Sequence, residues 1–305
     1  MTVSAAELSA AAERIAPHVR RTPMTFAGAG ARLKLESLQP TGSFKVRGFF
    51  NAALSLDPEQ LARGLMTVSA GNAALAVAHV ARELGVPCRV VMYETAPAVK
   101  IDGVHALGGA TLLMPRERMV AWMADRGWTR EPETFIHPFA DDAIIAGHAT
   151  LAAAIVEDWP EVERVIVPVG GGGLISGIAE GMAAIAPHVR VVGAQSDGYA
   201  QWSRVFAAGG PVALSPDTIA DGTTAPFHPA MFDRLRANAI QWVVVPEQQV
   251  RDEVRRLCLE TKIVVEGAGA LAAAALRTQQ SDARSVAVVS GGNIDPKLLS
   301  ALVTG

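Results

Sequence analysis

The sequence alternates between short apolar runs rich in valine and isoleucine and alanine-rich stretches of helical period. The apolar runs that predict strands lie at 88–92, 164–169, 189–194 and 285–289. The stretches that predict helices lie at 72–84, 146–157, 174–185 and 250–261. Because buried parallel strands read as continuous apolar runs joined by helical crossovers, this alternation predicts an α/β fold with helices on both faces of the sheet.

Composition excludes several classes of protein. The 305-residue chain is half hydrophobic and has a formal net charge of −3, and it has no basic run that could bind the phosphates of a nucleic acid. Its richest apolar stretch, 268–276, is far shorter than the roughly 20 residues that span a bilayer. The first residues lack the basic start and unbroken apolar run of a secretion signal. We therefore expect a cytoplasmic protein with neither a nucleic-acid nor a membrane partner.

Four consecutive glycines stand between a predicted strand and a predicted helix: Gly170, Gly171, Gly172 and Gly173. Without side chains in the way, their N–H groups can approach a ligand, and with the helix dipole behind them they suit a phosphate. The loop is one residue short of the dinucleotide fingerprint, because Ser176 stands where a third glycine is required. An NAD-linked oxidoreductase is therefore an alternative reading.

Lys45 is one of only five lysines in the chain and lies within the segment 35–48. Turn-forming residues at 41–43 precede it, and the apolar side chains of Phe44 and Val46 flank it. An apolar environment disfavours an ammonium ion, so a lysine here would lose proton affinity. The neutral amine is the form that attacks an aldehyde, which makes Lys45 a candidate nucleophile.

Taken together, the motifs resemble those of the fold-type II pyridoxal-phosphate enzymes, above all the threonine/serine dehydratases and serine racemase. The matching motifs are PTGSFKVRG at 40–48, SAGN at 69–72, HPF at 137–139, IAGH at 145–148, VPVGGGGLISG at 167–177, TIADG at 218–222, TKIVVEGAGA at 261–270 and SGGN at 290–293. The resemblance implies two open, twisted, mostly parallel sheets flanked by helices. It also implies a large cofactor-binding domain (1–63 and 139–305) and a small substrate-binding domain (64–138).

The resemblance assigns roles to individual residues. Lys45 would form the Schiff base with pyridoxal 5'-phosphate and later remove the α-proton of the substrate, with Phe44 packed beside it. Glycines 170–173 would bind the cofactor phosphate, and Asn72 its phenolic oxygen. Ser290 would face the pyridine nitrogen, and a neutral hydroxyl there favours elimination because it does not force that nitrogen to protonate.

The substrate carboxylate would be held at the start of a predicted helix by Ser69, Ala70, Gly71, Asn72 and Ala73. In relatives, a histidine and a glutamine follow Asn72, whereas this chain has alanines and leucine at 73–76. The pocket wall is thus less polar than in those relatives. Serine racemase carries a second serine at position 70, so Ala70 disfavours racemisation.

The activity implied is pyridoxal-phosphate dependent β-elimination, which converts threonine or serine to a 2-oxo acid and ammonia. Another hydroxy amino acid, such as 3-hydroxyaspartate or phenylserine, remains an alternative substrate. A β-replacement enzyme and a non-catalytic amino-acid sensor are alternative functions.

The sequence predicts no metal site. Some relatives bind a divalent cation through acidic residues at positions that correspond here to Gln195 and roughly Gln201, and hard cations prefer carboxylates. The two cysteines and seven histidines show no ligand spacing. The resemblance also implies a homodimer or a homotetramer.

Overall fold

The computed structural model describes residues 2–28, 30–279 and 282–304. Its strands are β1 Met24–Gly28, β2 Ala31–Leu35, β3 Leu65–Val68, β4 Cys88–Tyr93, β5 Ala110–Met114, β6 Thr134–Phe135, β7 Arg164–Pro168, β8 Arg190–Ser196, β9 Ile240–Val245 and β10 Ser285–Val289. Its helices are α1 Ala5–Ile15, α2 Lys45–Leu54, α3 Pro58–Ala62, α4 Asn72–Leu84, α5 Ala98–Ala106, α6 Arg116–Ala124, α7 Asp142–Asp158, α8 Gly173–Ile185, α9 Gln201–Ala208, α10 Pro229–Ala237, α11 Glu247–Arg256, α12 Gly267–Thr278 and α13 Pro296–Thr304.

The eight segments predicted from the apolar pattern are all present. The bounds of α4 and β10 match the prediction residue for residue, and α8 begins one residue earlier than expected. The helix predicted at 250–261 is interrupted, because α11 ends at Arg256 and Leu257–Thr261 forms a π-helical turn.

The strands form two sheets. The larger has the order β1-β2-β10-β7-β8-β9, in which only β1 runs antiparallel to its neighbour. The smaller has the order β5-β4-β3-β6 and is parallel throughout. Two mostly parallel sheets flanked by helices confirm the predicted fold class. No helix within the described ranges is both long and apolar enough to cross a membrane.

Alternate residues of the central strands point to opposite faces of the large sheet. Val165 and Val167 pack with residues of α7 and α8, whereas Ile166 between them packs with residues of α11 and α12. β10 behaves in the same way, with Val286 and Val288 on the first face. Helices therefore cover both faces, which explains why these strands read as unbroken apolar runs.

The small sheet lies wholly within the predicted small domain, since β3 to β6 fall between residues 65 and 135. One of its faces packs with α2 and α4, and a single buried cluster contains Phe49 and Phe50 from α2 together with Val77 from α4. Its other face packs with α6 around Trp122. The exact domain boundaries, 63/64 and 138/139, stay a prediction.

The helix α2 packs against α7 at backbone distance. A Cβ atom on Gly147 would lie 2.5 Å from the carbonyl oxygen of Arg47 and 2.7 Å from the Cα atom of Gly48. On the other side of α7, a Cβ atom on Gly177 of α8 would lie 2.6 Å from the carbonyl oxygen of Ile145. Direct contact between the two backbones therefore helps to set the position of α2, together with the hydrogen bond from Asn51 Nδ2 to the carbonyl oxygen of Ala143.

Candidate active site

The predicted site residues lie where strands end. Residues 69–73 follow β3, glycines 170–173 follow β7, and Ser290 follows β10. Ligands of parallel α/β sheets bind at this carboxyl edge. The loop before α2 joins the same region, because the N–H of Phe44 donates to the carbonyl oxygen of Ser290 at 3.0 Å.

Lys45 is the first residue of α2, and its side chain is partly buried. Its Nζ donates to the carbonyl oxygen of Pro138 at 2.8 Å and lies 5.2 Å from the centre of the Phe44 ring. Within the described ranges it forms no ion pair with an acidic side chain. Burial lowers the pKa of Lys45 to about 8, so a sizeable fraction of its amine is neutral near physiological pH.

The glycine loop has no room for side chains. Gly172 has a φ of +95°, and a Cβ atom on Gly171 would overlap the ring of Phe139. A Cβ atom on Gly173 would lie 2.7 Å from the carbonyl oxygen of Phe139. Since α8 starts at Gly173, its first N–H groups lack intrahelical partners and point towards this loop. The loop and helix terminus together suit an anion.

Pro138 and Phe139 connect the lysine to the glycine loop, because Pro138 accepts from Lys45 and Phe139 packs on Gly171. The imidazole of His137 fixes this turn, since its Nδ1 accepts the N–H of Ala140 at 3.0 Å. Burial, together with the neighbouring His228 and Lys45, lowers the pKa of His137 to about 3. His137 is therefore a neutral hydrogen-bond acceptor in the turn.

The segment 69–73 forms a turn and the start of α4. The N–H of Gly71 donates to Ser69 Oγ at 3.1 Å, and Asn72 is the first residue of the helix. Ala70 and Ala73 bring no polar side-chain atoms. An anion at this position would face the free N–H groups of the first helical turn.

Asn72 belongs to a hydrogen-bonded set that the sequence does not predict. Its Nδ2 donates to Glu266 Oε1 at 2.6 Å, and its Oδ1 accepts from Asn293 Nδ2 at 2.7 Å. Burial and the carboxylate of Asp221 raise the pKa of Glu266 to about 7, although Asn72 and Lys100 oppose the shift. Lys100 on α5 in turn pairs with Asp221 at 3.0 Å, which links the small sheet's helices to the segment 218–222.

Ser290 is buried and its Oγ donates to the carbonyl oxygen of Ala268 at 3.3 Å. No carboxylate of the described chain accepts a hydrogen bond from it. The residue beside it must be small, because a Cβ atom on Gly291 would overlap Glu266 Oε1. Ser290 therefore carries a neutral hydroxyl, and its place beside the pyridine nitrogen stays a prediction.

The amide of Gln195 is occupied by protein groups. Its Oε1 accepts from the N–H and the hydroxyl of Ser203 at 2.9 and 3.1 Å. Asp197, two residues on, accepts the N–H of Glu247 at 2.8 Å at the start of α11. Among the residues that the structure describes, no three histidine, cysteine, aspartate or glutamate side chains come together as a metal site.

Pro138, Phe139 and Asn293 join the site without having been given a role from sequence. Each lies in a motif singled out there, either HPF or SGGN. The motifs were therefore a usable signal. No sequence signal indicates the contact between Lys45 and Pro138, because Lys45 donates to the backbone carbonyl of Pro138 and no side-chain pattern encodes that contact.

A family model described as "Pyridoxal-phosphate dependent enzyme" matches residues 15–291. An L-threonine ammonia-lyase of Thermotoga maritima is 35% identical over 297 residues, 93% of this chain and 74% of that protein. A beta-hydroxyaspartate dehydratase of Paracoccus denitrificans is 34% identical over 303 residues, 95% of this chain and 96% of that protein. The structure of maize serine racemase has a TM-score of 0.91 at 31% identity and covers 99% of this chain and 97% of its own.

Proposed function

The chain belongs to the family of pyridoxal-phosphate dependent enzymes, and from that premise we propose that Lys45 and its surroundings catalyse loss of the β-hydroxyl group from threonine or serine. The reaction class is that of an ammonia-lyase, which yields a 2-oxo acid and ammonia. Threonine is the first candidate because relatives from several bacteria are named for it. The relative from Paracoccus denitrificans makes 3-hydroxyaspartate the second candidate.

The residues present fit the cofactor. An amine without an acidic partner suits an aldehyde, and the glycine loop offers a phosphate the backbone N–H groups at the start of α8 with no side chain of its own in the way. The side-chain amide of Asn72 has an N–H that can donate to a phenolic oxygen. The hydroxyl of Ser290 is uncharged. Glycines 170–173, Asn72, Ser290, Phe44 and Lys45 are therefore the residues that would hold pyridoxal phosphate.

When bound, pyridoxal phosphate withdraws the electron pair that remains on the α-carbon of an amino acid after its proton is removed. The protein's part is to take that proton and to hold the substrate. Lys45 Nζ, half neutral near pH 8, serves as the general base at the α-carbon. Residues 69–73 hold the carboxylate through N–H groups at the start of α4, where the helix dipole favours an anion.

The observation that carries the proposal is the hydrogen bond from Lys45 Nζ to the carbonyl oxygen of Pro138. A carbonyl keeps the amine in place without stabilising its charged form as strongly as a carboxylate would. Phe139 follows Pro138 directly and packs on Gly171, so the same turn contacts both the amine and the glycine loop, which supports the proposal. The proposed Schiff-base lysine and the proposed phosphate loop are thus both in contact with the turn at Pro138 and Phe139.

The test is to load the protein with pyridoxal phosphate, remove the excess and record its visible absorption. We expect a visible band that borohydride bleaches, and ammonia with a 2-oxo acid from at least one of threonine, serine, 3-hydroxyaspartate and phenylserine. A colourless protein after loading, or no ammonia from any of the four, would overturn the proposal. Incorporation of sulfide into the product in place of a 2-oxo acid would identify a β-replacement enzyme instead.

We also infer a homodimer or homotetramer, which rests on the family resemblance alone. Sedimentation equilibrium of the loaded protein would measure the mass, and a monomer at micromolar concentration would contradict the inference.

A further inference from the structure

We propose that Asn293 is a positioning residue that fixes the amide orientation of Asn72 and joins it to the loop before Lys45. The inference rests on the proposed function, because it concerns the side chain assigned there to the phenolic oxygen of the cofactor. It adds a residue in the SGGN motif whose role neither the sequence nor the comparisons assign.

Asn293 uses both hydrogens of its amide. Its Nδ2 donates to the carbonyl oxygen of Thr41 at 2.8 Å and to Asn72 Oδ1 at 2.7 Å. A primary amide has two N–H donors, so none remains for another acceptor. Asn293 therefore connects the start of α4, which follows the small sheet, to the turn that leads into Lys45.

This contact decides which atom of Asn72 faces the site. With its oxygen turned to Asn293, the Asn72 amide must turn its nitrogen the other way, where one hydrogen is donated to Glu266 Oε1 at 2.6 Å. The second hydrogen stays available for an acceptor. The opposite orientation would set the Asn72 nitrogen against the Asn293 nitrogen, two donors with no acceptor between them.

Glu266 alone could not fix that orientation. Burial raises the pKa of its carboxyl to about 7, so both forms exist near neutrality. An ionised carboxylate only accepts hydrogen bonds, whereas a protonated carboxyl could donate to the Asn72 oxygen and stabilise the reversed amide. Asn293 does not titrate, so it holds the same orientation at either protonation state. Lys100 and Asp221, which also act on Glu266, do not hydrogen-bond Asn72.

The surroundings of Asn293 are fitted closely to it. Gly42 has a φ of +71°, and a Cβ atom there would lie 2.5 Å from Asn293 Oδ1. The N–H of Gly292 donates to the carbonyl oxygen of Gly42 at 2.9 Å, and Ser43 pairs with Gly291. The two turns are thus held together by backbone bonds, and the Asn293 side chain extends that contact to Asn72.

The experiment compares Asn293→Asp and Asn293→Ala with the wild-type protein, all loaded with pyridoxal phosphate. Aspartate has nearly the same shape but cannot donate to Thr41 or Asn72. Asn293 is exposed, so neither change disturbs the core. The matched control is Asn238→Asp, which makes the same chemical change at an asparagine whose side-chain amide donates to the carbonyl oxygen of Arg234.

Two quantities are measured: the pH midpoint at which the visible band changes, and the dissociation constant of the cofactor. Losing one oriented donor should move the midpoint by about half a unit to one unit and weaken cofactor binding about 3- to 10-fold. Asn238→Asp should change neither. A residue that only stabilised the fold would lower the unfolding temperature and leave the midpoint unchanged.

A double-variant comparison assigns the effect to Asn72. If Asn293 acts through Asn72, then Asn293→Ala should shift the midpoint in the wild-type background and not in an Asn72→Ala background. An unchanged midpoint in both Asn293 variants, or an equal shift in both backgrounds, would overturn the inference. Neither result would touch the proposed function, which fails only if the wild-type protein shows no visible band.

Discussion

Two lysines eleven residues apart have opposite environments. Lys34, in β2, is fully buried, and its Nζ donates to Asp158 Oδ2 at 2.7 Å and to the carbonyl oxygen of Thr22 at 2.8 Å. Lys45, at the start of α2, has a backbone carbonyl as its hydrogen-bond partner and no acid. Burial opposes the ionisation of Asp158, yet hydrogen bonds from Lys34 and Arg21 lower its pKa below the usual value, as expected of a charged pair.

The contrast shows that burial alone does not make a lysine reactive. Lys34 has a carboxylate beside it, and the ion pair compensates the desolvation of both charges. Without one, the pKa of Lys45 falls to about 8. One lysine therefore holds β2 to the end of α7, and the other is the proposed reactive amine.

The largest effect is expected from Lys45→Ala, which removes the proposed nucleophile and general base. Ammonia release should fall by at least about 10³-fold, and the visible band of the bound cofactor should disappear. Stopped-flow absorbance and an ammonia assay measure both. Lys262→Ala, a change of an exposed lysine, is the control and should leave both near wild type. Residual activity above a few per cent would contradict the assignment.

Asp158→Ala tests the other half of the comparison by leaving Lys34 buried without its carboxylate. Because an unpaired buried charge is costly and Asp158 is itself partly exposed, the free energy of unfolding should drop by about 2–4 kcal/mol. Urea unfolding of the apo-protein gives this value. The activity of the folded fraction should be unchanged, and a selective loss of activity at full stability would show that Lys34 has a role in the site.

The pH dependence of cofactor capture sharpens the comparison. The reactive form of Lys45 is the neutral amine, whose fraction rises about tenfold for each pH unit until the pKa near 8. The capture rate should therefore climb between pH 6 and 8 and level off above. Lys34→Arg should leave this profile unchanged. A rate that kept rising to pH 10 would mean that Lys45 has an ordinary pKa.

Glu266 is a buried acid, and it shows the effect of burial on a carboxyl group as Lys45 does on an amine. Since burial raises its pKa to about 7, the folded protein binds a proton that the unfolded chain has released between pH 4.5 and 7. Its contribution to stability is therefore greatest below pH 4.5 and declines by roughly 1–3 kcal/mol as pH rises to 7. In the apo-protein, Glu266→Gln should flatten this part of the curve of unfolding temperature against pH. An unchanged slope would place the titration elsewhere.

The regular elements and the glycine loop could be predicted because local pattern determines them. Strand β10 and helix α4 carry unbroken apolar or helical periodicity, and both were placed residue for residue. The glycines lie on the sheet edge that their position after a strand requires. In these regions, the secondary structure is determined by residues that are close together in the sequence.

Other features depend on partners far away in the chain. Lys34 sits in a strand whose charge pattern does not suggest burial, and its partner Asp158 is 124 residues distant. The antiparallel hairpin of β1 and β2 was therefore not predicted. The π-helical turn after Arg256 was missed for a similar reason, since the pattern at 250–261 is helical throughout and does not distinguish one hydrogen-bonding register from another.

The contact between Gly147 and the backbone of Arg47 and Gly48 has a consequence for how this protein can diverge. Most interiors absorb a substitution by rotating or exchanging neighbouring side chains, but here the nearest atoms belong to the main chain, which no side-chain rotation can move. A single methyl group added at position 147 would push the first turns of α2, and with them the amine at position 45, out of alignment. Substitutions in the loops can change the substrate preference, whereas almost no substitution is compatible with the contact between α2 and α7 at position 147.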